Sequence, residues 1–296
     1  MEFDDDNVRE VVEEDRLSSL PDHLIHKIIN DEFYFSEEFV TFVKDVLCRR
    51  NSQAEVFSVK LIYSGPWNQN FVEEIANYGF SRNIQELNVL IETENKGPTS
   101  YFLRSSHSLK HLELLHSPPI SFTPETRFDF PALATLHLSN FRLRDFKAKE
   151  SVNLFSKCVN LKKLTLEYFC IKAVGVFDII TPRLSDLKLI GGKCSKTINL
   201  IAPELRNLKI MYCLYINYLN ISPRLSSFCY TGRLPLKWFN DRFYSLNEAS
   251  IWLNYAKETY NEDDALKTIN ILQKLHSAKY LTLNVNIIEI IRLIKD

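Results

Sequence analysis

Glycine is scarce in this chain, 7 residues in 296, and methionine occurs only twice. So little glycine leaves no flexible linker and no phosphate-cradling loop; Gly191-Gly192 lacks the neighbours such a loop needs. No uninterrupted apolar run reaches the roughly 18 residues of a membrane-spanning helix. Neither sign of charge dominates: 36 Lys plus Arg stand against 37 Asp plus Glu, a net charge of −1. Without a basic field, run or basic amphipathic helix, nucleic acid and membranes are not expected partners. The N-terminus is acidic (Glu2, Asp4, Asp5, Asp6, Glu10, Glu13, Glu14, Asp15), the opposite of a secretory leader. The cysteines (Cys48, Cys158, Cys170, Cys194, Cys213, Cys229) show no paired short spacing. Free, buried thiols and a cytoplasmic or nuclear setting are expected.

What the chain has in quantity is a repeated phrase: apolar, two others, apolar, one other, apolar. It reads Leu109-Leu112-Leu114, Leu133-Leu136-Leu138, Leu161-Leu164-Leu166, Leu184-Leu187-Leu189 and Leu205-Leu208-Ile210. Ile84-Leu87-Val89, Leu225-Phe228-Tyr230, Leu246-Ala249-Ile251 and Leu281-Leu283 are looser copies. Copies mostly start about 20 to 28 residues apart, the period of leucine-rich repeats. The expected fold is an α/β leucine-rich-repeat solenoid, curved and built of short parallel strands, with a small helical N-terminal segment. Alternation within each strand turns the phrase inward, and stacking buries a core that no single repeat could bury. Pro131, Pro182, Pro203 and Pro223 each stand two residues before the first leucine of a copy, marking the loop that leads into the strand. Ile198-Leu200 and Leu219-Ile221 read as short extended pieces on the far side of the coil in place of long helices.

Residues 1–14 read as a solvated acidic tail and 15–32 as a short helix. Pro21 suits its first turn, and Leu24, Ile25, Ile28 and Ile29 form its apolar stripe. Residues 33–80 read as an N-terminal cap and 81–296 as the repeats. In the cap, a helix starts near Ser36 and buries Phe39, Val43, Val46 and Leu47. A strand over 56–62 follows, then a helix over 70–78 burying Phe71, Val72 and Ile75, with Gly79 as its left-handed terminator. Asp263–Leu275 is expected to be helical with an apolar stripe of Leu266, Ile269, Leu272 and Leu275. Ile287–Ile294 reads as an end cap.

The residues between the inward leucines are expected on the concave surface of the coil, the candidate partner-binding face: Glu86, Asn88, Glu113, His137, Thr165, Glu167, Lys188, Lys209, Met211, Trp252, Tyr280, Thr282 and Asn284. Trp252 stands out, because an outward aromatic is a favoured interface anchor; its bland alternative is packing under a loop. No enzymatic constellation is legible. His107 and His111 straddle a turn, His23 and His26 lack a third ligand, and no cysteine has a histidine at a motif spacing, so no catalytic residue, metal or cofactor is assigned. A broad open face fits a protein partner better than a small molecule.

Asp15-Arg16-Leu17-Ser18-Ser19-Leu20-Pro21-Asp22-His23-Leu24-Ile25 resembles the opening of an F-box, whose first helix begins at a Leu-Pro pair. Residues 36–285 resemble the leucine-rich region of plant F-box proteins of the FBD type, most closely at Phe71 to Leu87 and at Ala202-Pro203-Glu204-Leu205 and Ser222-Pro223-Arg224-Leu225. The resemblance implies a substrate-recognition subunit of an SCF-type cullin-RING ubiquitin ligase, acting in ubiquitin-dependent protein degradation. It would assign the contact with a Skp-type adaptor to Leu20, Pro21, Leu24, Ile25, Ile28 and Ile29, and the target protein to the repeats. The F-box is incomplete: Ile29 runs within a few residues into Phe33-Tyr34-Phe35, where the family continues with two more helices. A lone helix of about 10 to 14 residues is marginal by itself. The alternatives are a repeat protein that binds a partner without adaptor docking, and a truncated product with little function.

Overall fold

The computed structural model describes residues 41, 43–47, 55–64, 69–93, 105–124, 126, 128–144, 151–171, 175–194, 197–214, 216, 218–220, 224–233, 237–238, 243, 245–254 and 261–292. The chain divides into two units at Glu55/Val56. Of the first unit, residues 43–47 are helical, as expected from the Ser36 signal, and Val43 is buried. The rest of that helix, the acidic tail and the F-box-like segment lie outside the described residues.

The second unit begins with β1 (Ser58–Ser64), α1 (Gln69–Ser81), β2 (Glu86–Glu92), β3 (His111–Phe122) and β4 (Thr135–Leu143). Then come β5 (Ser151–Val152), β6 (Lys163–Glu167), β7 (Cys170–Ile171), β8 (Val176–Ile180), β9 (Asp186–Ile190), β10 (Lys193–Cys194) and β11 (Thr197–Ile201). It continues through β12 (Asn207–Met211), β13 (Tyr218–Asn220), β14 (Ser227–Gly232), β15 (Lys237–Trp238) and β16 (Glu248–Leu253), and closes with α2 (Glu262–Lys274), β17 (Tyr280–Leu283) and α3 (Val285–Arg292). The large sheet runs β1-β2-β3-β4-β6-β9-β12-β14-β16-β17, and the smaller one β15-β13-β11-β8-β5. Every pairing in both is parallel. This is a β-solenoid with few helices, the coarse form of the expected α/β solenoid. The extended pieces around Ile198 and Leu219 are strands of the second sheet, pairing Ile198 with Phe177 and Leu219.

The leucine phrase explains the stacking. Leu136, Leu164, Leu187 and Leu208 stand opposite one another in consecutive strands, as do Leu138, Leu166, Leu189 and Ile210. None of the eight is more than 2% exposed. Each such burial stabilises by roughly 1.5 to 3 kcal/mol, which is what pulls each short strand into this register. Aromatic rings fill the wider part of the interior. Phe122 packs on Phe128 and on Phe141 at 5.4 Å each, Phe128 on Phe155 at 5.7 Å, Phe141 on Phe169 at 6.0 Å and Phe155 on Phe177 at 6.2 Å, linking successive coils.

The prolines sit where their fixed φ is useful. Leu184 N donates to Thr181 O at 3.3 Å, Leu205 N to Ala202 O at 3.0 Å and Leu133 N to Phe130 O at 3.1 Å, closing turns with Pro182, Pro203 and Pro131 at the second position. Pro223 lies outside the described residues. At the other end of the strands, a left-handed residue bends the chain away. Asn140 (φ 58°), Tyr168 (φ 49°), Gly191 (φ 60°) and Tyr212 (φ 53°) follow the paired segments of β4, β6, β9 and β12 in the same register.

Some local expectations shift. The helix over 70–78 runs on to Ser81, so Gly79 lies inside it and the left-handed residue is Asn83 (φ 54°). Gly79 answers a different need: a Cβ there would come within 2.7 Å of Ile84 Cδ1. Helix α2 has a capping box, with Asp264 N donating to Asn261 Oδ1 at 2.9 Å. Its buried side is Ala265, Thr268, Ile271 and Leu275, whereas Leu266 is exposed. Three of the buried positions lie one residue round from the expected stripe, and Thr268 tolerates the interior by donating its hydroxyl to Asp264 O at 2.8 Å. In α3, Ile287 and Ile290 are buried. Leu281 occupies the inward column opposite Ala249 yet is 47% exposed, because β17 is the last strand of the large sheet.

Candidate functional site

Alternation leaves three rows of side chains on the outward face of the large sheet. The first holds Glu86, His111, Thr135, Lys163, Asp186, Asn207, Ser227, Glu248 and Tyr280. The second holds Asn88, Glu113, His137, Thr165, Lys188, Lys209, Cys229, Ser250 and Thr282 in register. The third includes Glu167, Ile190, Met211, Thr231 and Trp252. The sheet therefore brings Glu113, His137, Thr165, Lys188 and Lys209 into one line, as expected of residues separated by one coil each. Tyr280 is well exposed, on the outermost strand.

His137 lies between two acids of neighbouring strands. Its Nδ1 donates to Glu113 Oε1 at 2.8 Å, and its Nε2 stands 3.6 Å from Glu167 Oε2. The ring thus ties β3 to β4 and leans toward β6. It borders an open depression of about 390 Å³, lined also by Asn88, His111, Thr165 and Lys188. Its lining comes from five neighbouring parallel strands, β2, β3, β4, β6 and β9, and mixes both signs of charge with the edges of Leu112 and Leu164.

Farther along, Lys188 and Lys209 stand directly opposite one another on neighbouring strands. Of the nearby acids, Asp186 accepts from Asn207 Nδ2 at 2.7 Å (Oδ1) and from Ser185 Oγ at 2.5 Å (Oδ2), while Glu167 Oε2 stands 3.6 Å from His137 Nε2 without a hydrogen bond between them. Beyond the lysines the face turns apolar, with Ile190 and Met211 in the third row and Tyr168 and Tyr212 at the strand ends, 62% and 55% exposed. These two tyrosines and Ile190 were not among the expected site residues. Nothing in a tyrosine signals a left-handed backbone, so their place at the strand ends is invisible in the sequence. Trp252 is 45% exposed, and its indole N–H donates to Ser250 Oγ at 2.8 Å, which lays the ring along its own strand.

Two expectations are corrected. Asn284 is structural: its Oδ1 accepts from Leu253 N at 3.2 Å and its Nδ2 donates to Leu253 O at 2.8 Å, fastening β17 to β16. The thiols are not all buried. Cys158, Cys194 and Cys213 are, but Cys170 and Cys229 are half-buried, and Cys229 lies in the outward second row beside Lys209. Burial pushes the Cys158 and Cys213 thiols up to about 12, and raises that of Cys229 against the pull of Lys209. His107 and His111 are both exposed, and only His111 lies on a strand. Among the described residues no three His, Cys, Asp or Glu side chains converge as a metal site, and no helix is long and apolar enough to cross a membrane. The F-box-like positions Leu20, Pro21, Leu24, Ile25, Ile28 and Ile29, and the His23–His26 pair, lie outside the described residues.

Comparison with known protein families, curated proteins and solved structures gives no match to this chain. The class the fold itself defines is a parallel β-solenoid with an open, chemically varied outer face.

Proposed function

We propose that this chain is a non-catalytic, leucine-rich-repeat type of interaction protein whose outward sheet face holds a protein partner. The reading includes the F-box resemblance: the partner is a target for ubiquitylation, and the segment from Leu20 to Ile29 docks a Skp-type adaptor. One observation carries the binding part. The outward face presents Tyr168, Tyr212 and Met211 beside two lysines that form no salt bridge among the described residues, with Trp252 two strands farther along, and large exposed aromatics near charges are the composition of interface anchors. The leucine phrase and the Leu-Pro opening carry the ligase part. A second reading, partner binding without adaptor docking, is favoured by the short passage from Ile29 to Phe33.

The test is a pull-down with a purified Skp-type adaptor, using the native chain and the Leu20→Ala, Pro21→Ala double variant. Adaptor held by the native chain and lost from the variant supports the ligase subunit. Adaptor held by neither chain sinks it and leaves the second reading.

A further inference from the structure

The Lys188–Lys209 pair is unusual for a sheet face. Neighbouring strands are about 4.8 Å apart, and like charges directly opposite destabilise a sheet. Here the two ammonium groups have Thr165 on one side and Cys229 on the other in their own row. Asp186, two residues down the strand, accepts hydrogen bonds from Asn207 and Ser185, and neither it nor Glu167 comes within salt-bridge distance of the lysines. Among the described residues neither lysine forms a salt bridge. Two residues up the same strands, a step of about 6.6 Å, lie Ile190 and Met211. Next come Tyr168, Gly191 and Tyr212, with the Tyr168 ring lying over the glycine. A bulky residue held left-handed costs free energy, and both tyrosines are held so while more than half exposed.

We propose that this patch binds an acidic peptide segment of a partner protein: a carboxylate seats between Lys188 and Lys209, and an apolar side chain within two residues of it lies on Met211, Tyr168 and Tyr212. The proposal rests on the reading of the outward face as partner-binding and names the chemistry of that partner. The anion completes the lysine pair, as the neighbouring acids do not. The step from lysine row to apolar row matches alternate side chains of an extended peptide. Glu167, Asp186 and Glu248 on the same face disfavour a long polyanion, which would meet them as it ran on.

The test pans a phage-displayed dodecapeptide library on the full chain and measures the enriched peptides by fluorescence anisotropy. Binding is repeated on Lys188→Gln/Lys209→Gln, on Lys188→Glu/Lys209→Glu and on Tyr212→Ala, each checked for an unchanged urea midpoint. The expected result is enrichment of Asp or Glu within two residues of an aromatic or large aliphatic residue, with affinity falling about tenfold or more in both lysine variants and falling in Tyr212→Ala. Enriched peptides without acids, or binding indifferent to the lysines, overturn the acidic-peptide assignment while the partner-binding reading stands. A library that enriches nothing overturns the assignment too and counts against a peptide-binding face, while the adaptor pull-down tests the ligase part separately. A fluorescein-labelled oligouridylate bound as tightly, and released by the same lysine variants, also overturns it, since the patch would then be a nucleic-acid site.

Discussion

The ring of Tyr168 occupies the space above Gly191: its Cδ1 stands 2.7 Å from where a Cβ at position 191 would be. Gly191 is also left-handed, at φ 60°. A side chain at this position therefore meets two penalties at once, backbone strain and a displaced ring. Gly191→Ala is expected to lower stability by about 2 kcal/mol, read from urea unfolding. Adding Tyr168→Ala to it should recover part of the loss and leave the backbone part. A Gly191→Ala chain as stable as the native one would refute this account of the bend.

The inward columns end abruptly at β17, which sets up a contrast between two leucines. Leu187 is 1% exposed in mid-stack, whereas Leu281 is 47% exposed in the last strand. Leu187→Ala is expected to cost about 2 to 5 kcal/mol, and Leu281→Ala about 1 kcal/mol or less. Equal losses in equilibrium unfolding would mean that the end of the stack is covered.

His116 is buried in β3, and burial lowers its pKa from 6.5 to about 3. Its folded value lies below its unfolded one, so between pH 6.5 and 3 the unfolded chain takes up the proton that the folded chain refuses. Stability from this group is intact above pH 6.5 and declines as pH falls through that window. The loss between pH 7 and pH 5 is expected to be about 2 kcal/mol. His116→Gln should remove that share of the acid sensitivity, measured as the difference in urea midpoints at the two pH values. An unaltered pH dependence in the variant would rule His116 out as its source.

Thiol reactivity should follow burial. Cys170 and Cys229 are half-buried, whereas Cys158, Cys194 and Cys213 are buried and two of those thiols are pushed up to about 12. Under native conditions at pH 8, a maleimide is expected to label Cys170 and Cys229 well before the buried three, with mass spectrometry locating the label. Early labelling of Cys158 would place the solenoid interior in contact with solvent.

The leucine columns were legible because a strand sends alternate residues to opposite faces, and stacking such strands in register buries Leu112, Leu136, Leu164 and Leu187 together. The turn prolines were legible for the same local reason, a fixed φ. The face residues followed from the columns by elimination. What stayed hidden depends on register and backbone sign. That Lys188 meets Lys209, and not a residue one step along, is settled by hydrogen-bonded pairing between coils of unequal length. Asparagine or glycine at a left-handed position can be guessed, as Asn140 and Gly191 show, but Tyr168 and Tyr212 give no such hint. In α2 a threonine took a core position that a hydrophobicity count gave to leucine.

The residue-for-residue match between β9 and β12 has a consequence for how such a chain can change length. Asp186 and Asn207 are 21 positions apart and occupy equivalent places, each entering its strand behind a Pro-marked turn and leaving it through a left-handed residue. Excising residues 186–206 would bring Asn207 up against Lys163, and Leu208 and Ile210 against Leu164 and Leu166, like meeting like across the splice. One coil is thus a removable cassette, and the lysine pair is a product of having two of them side by side.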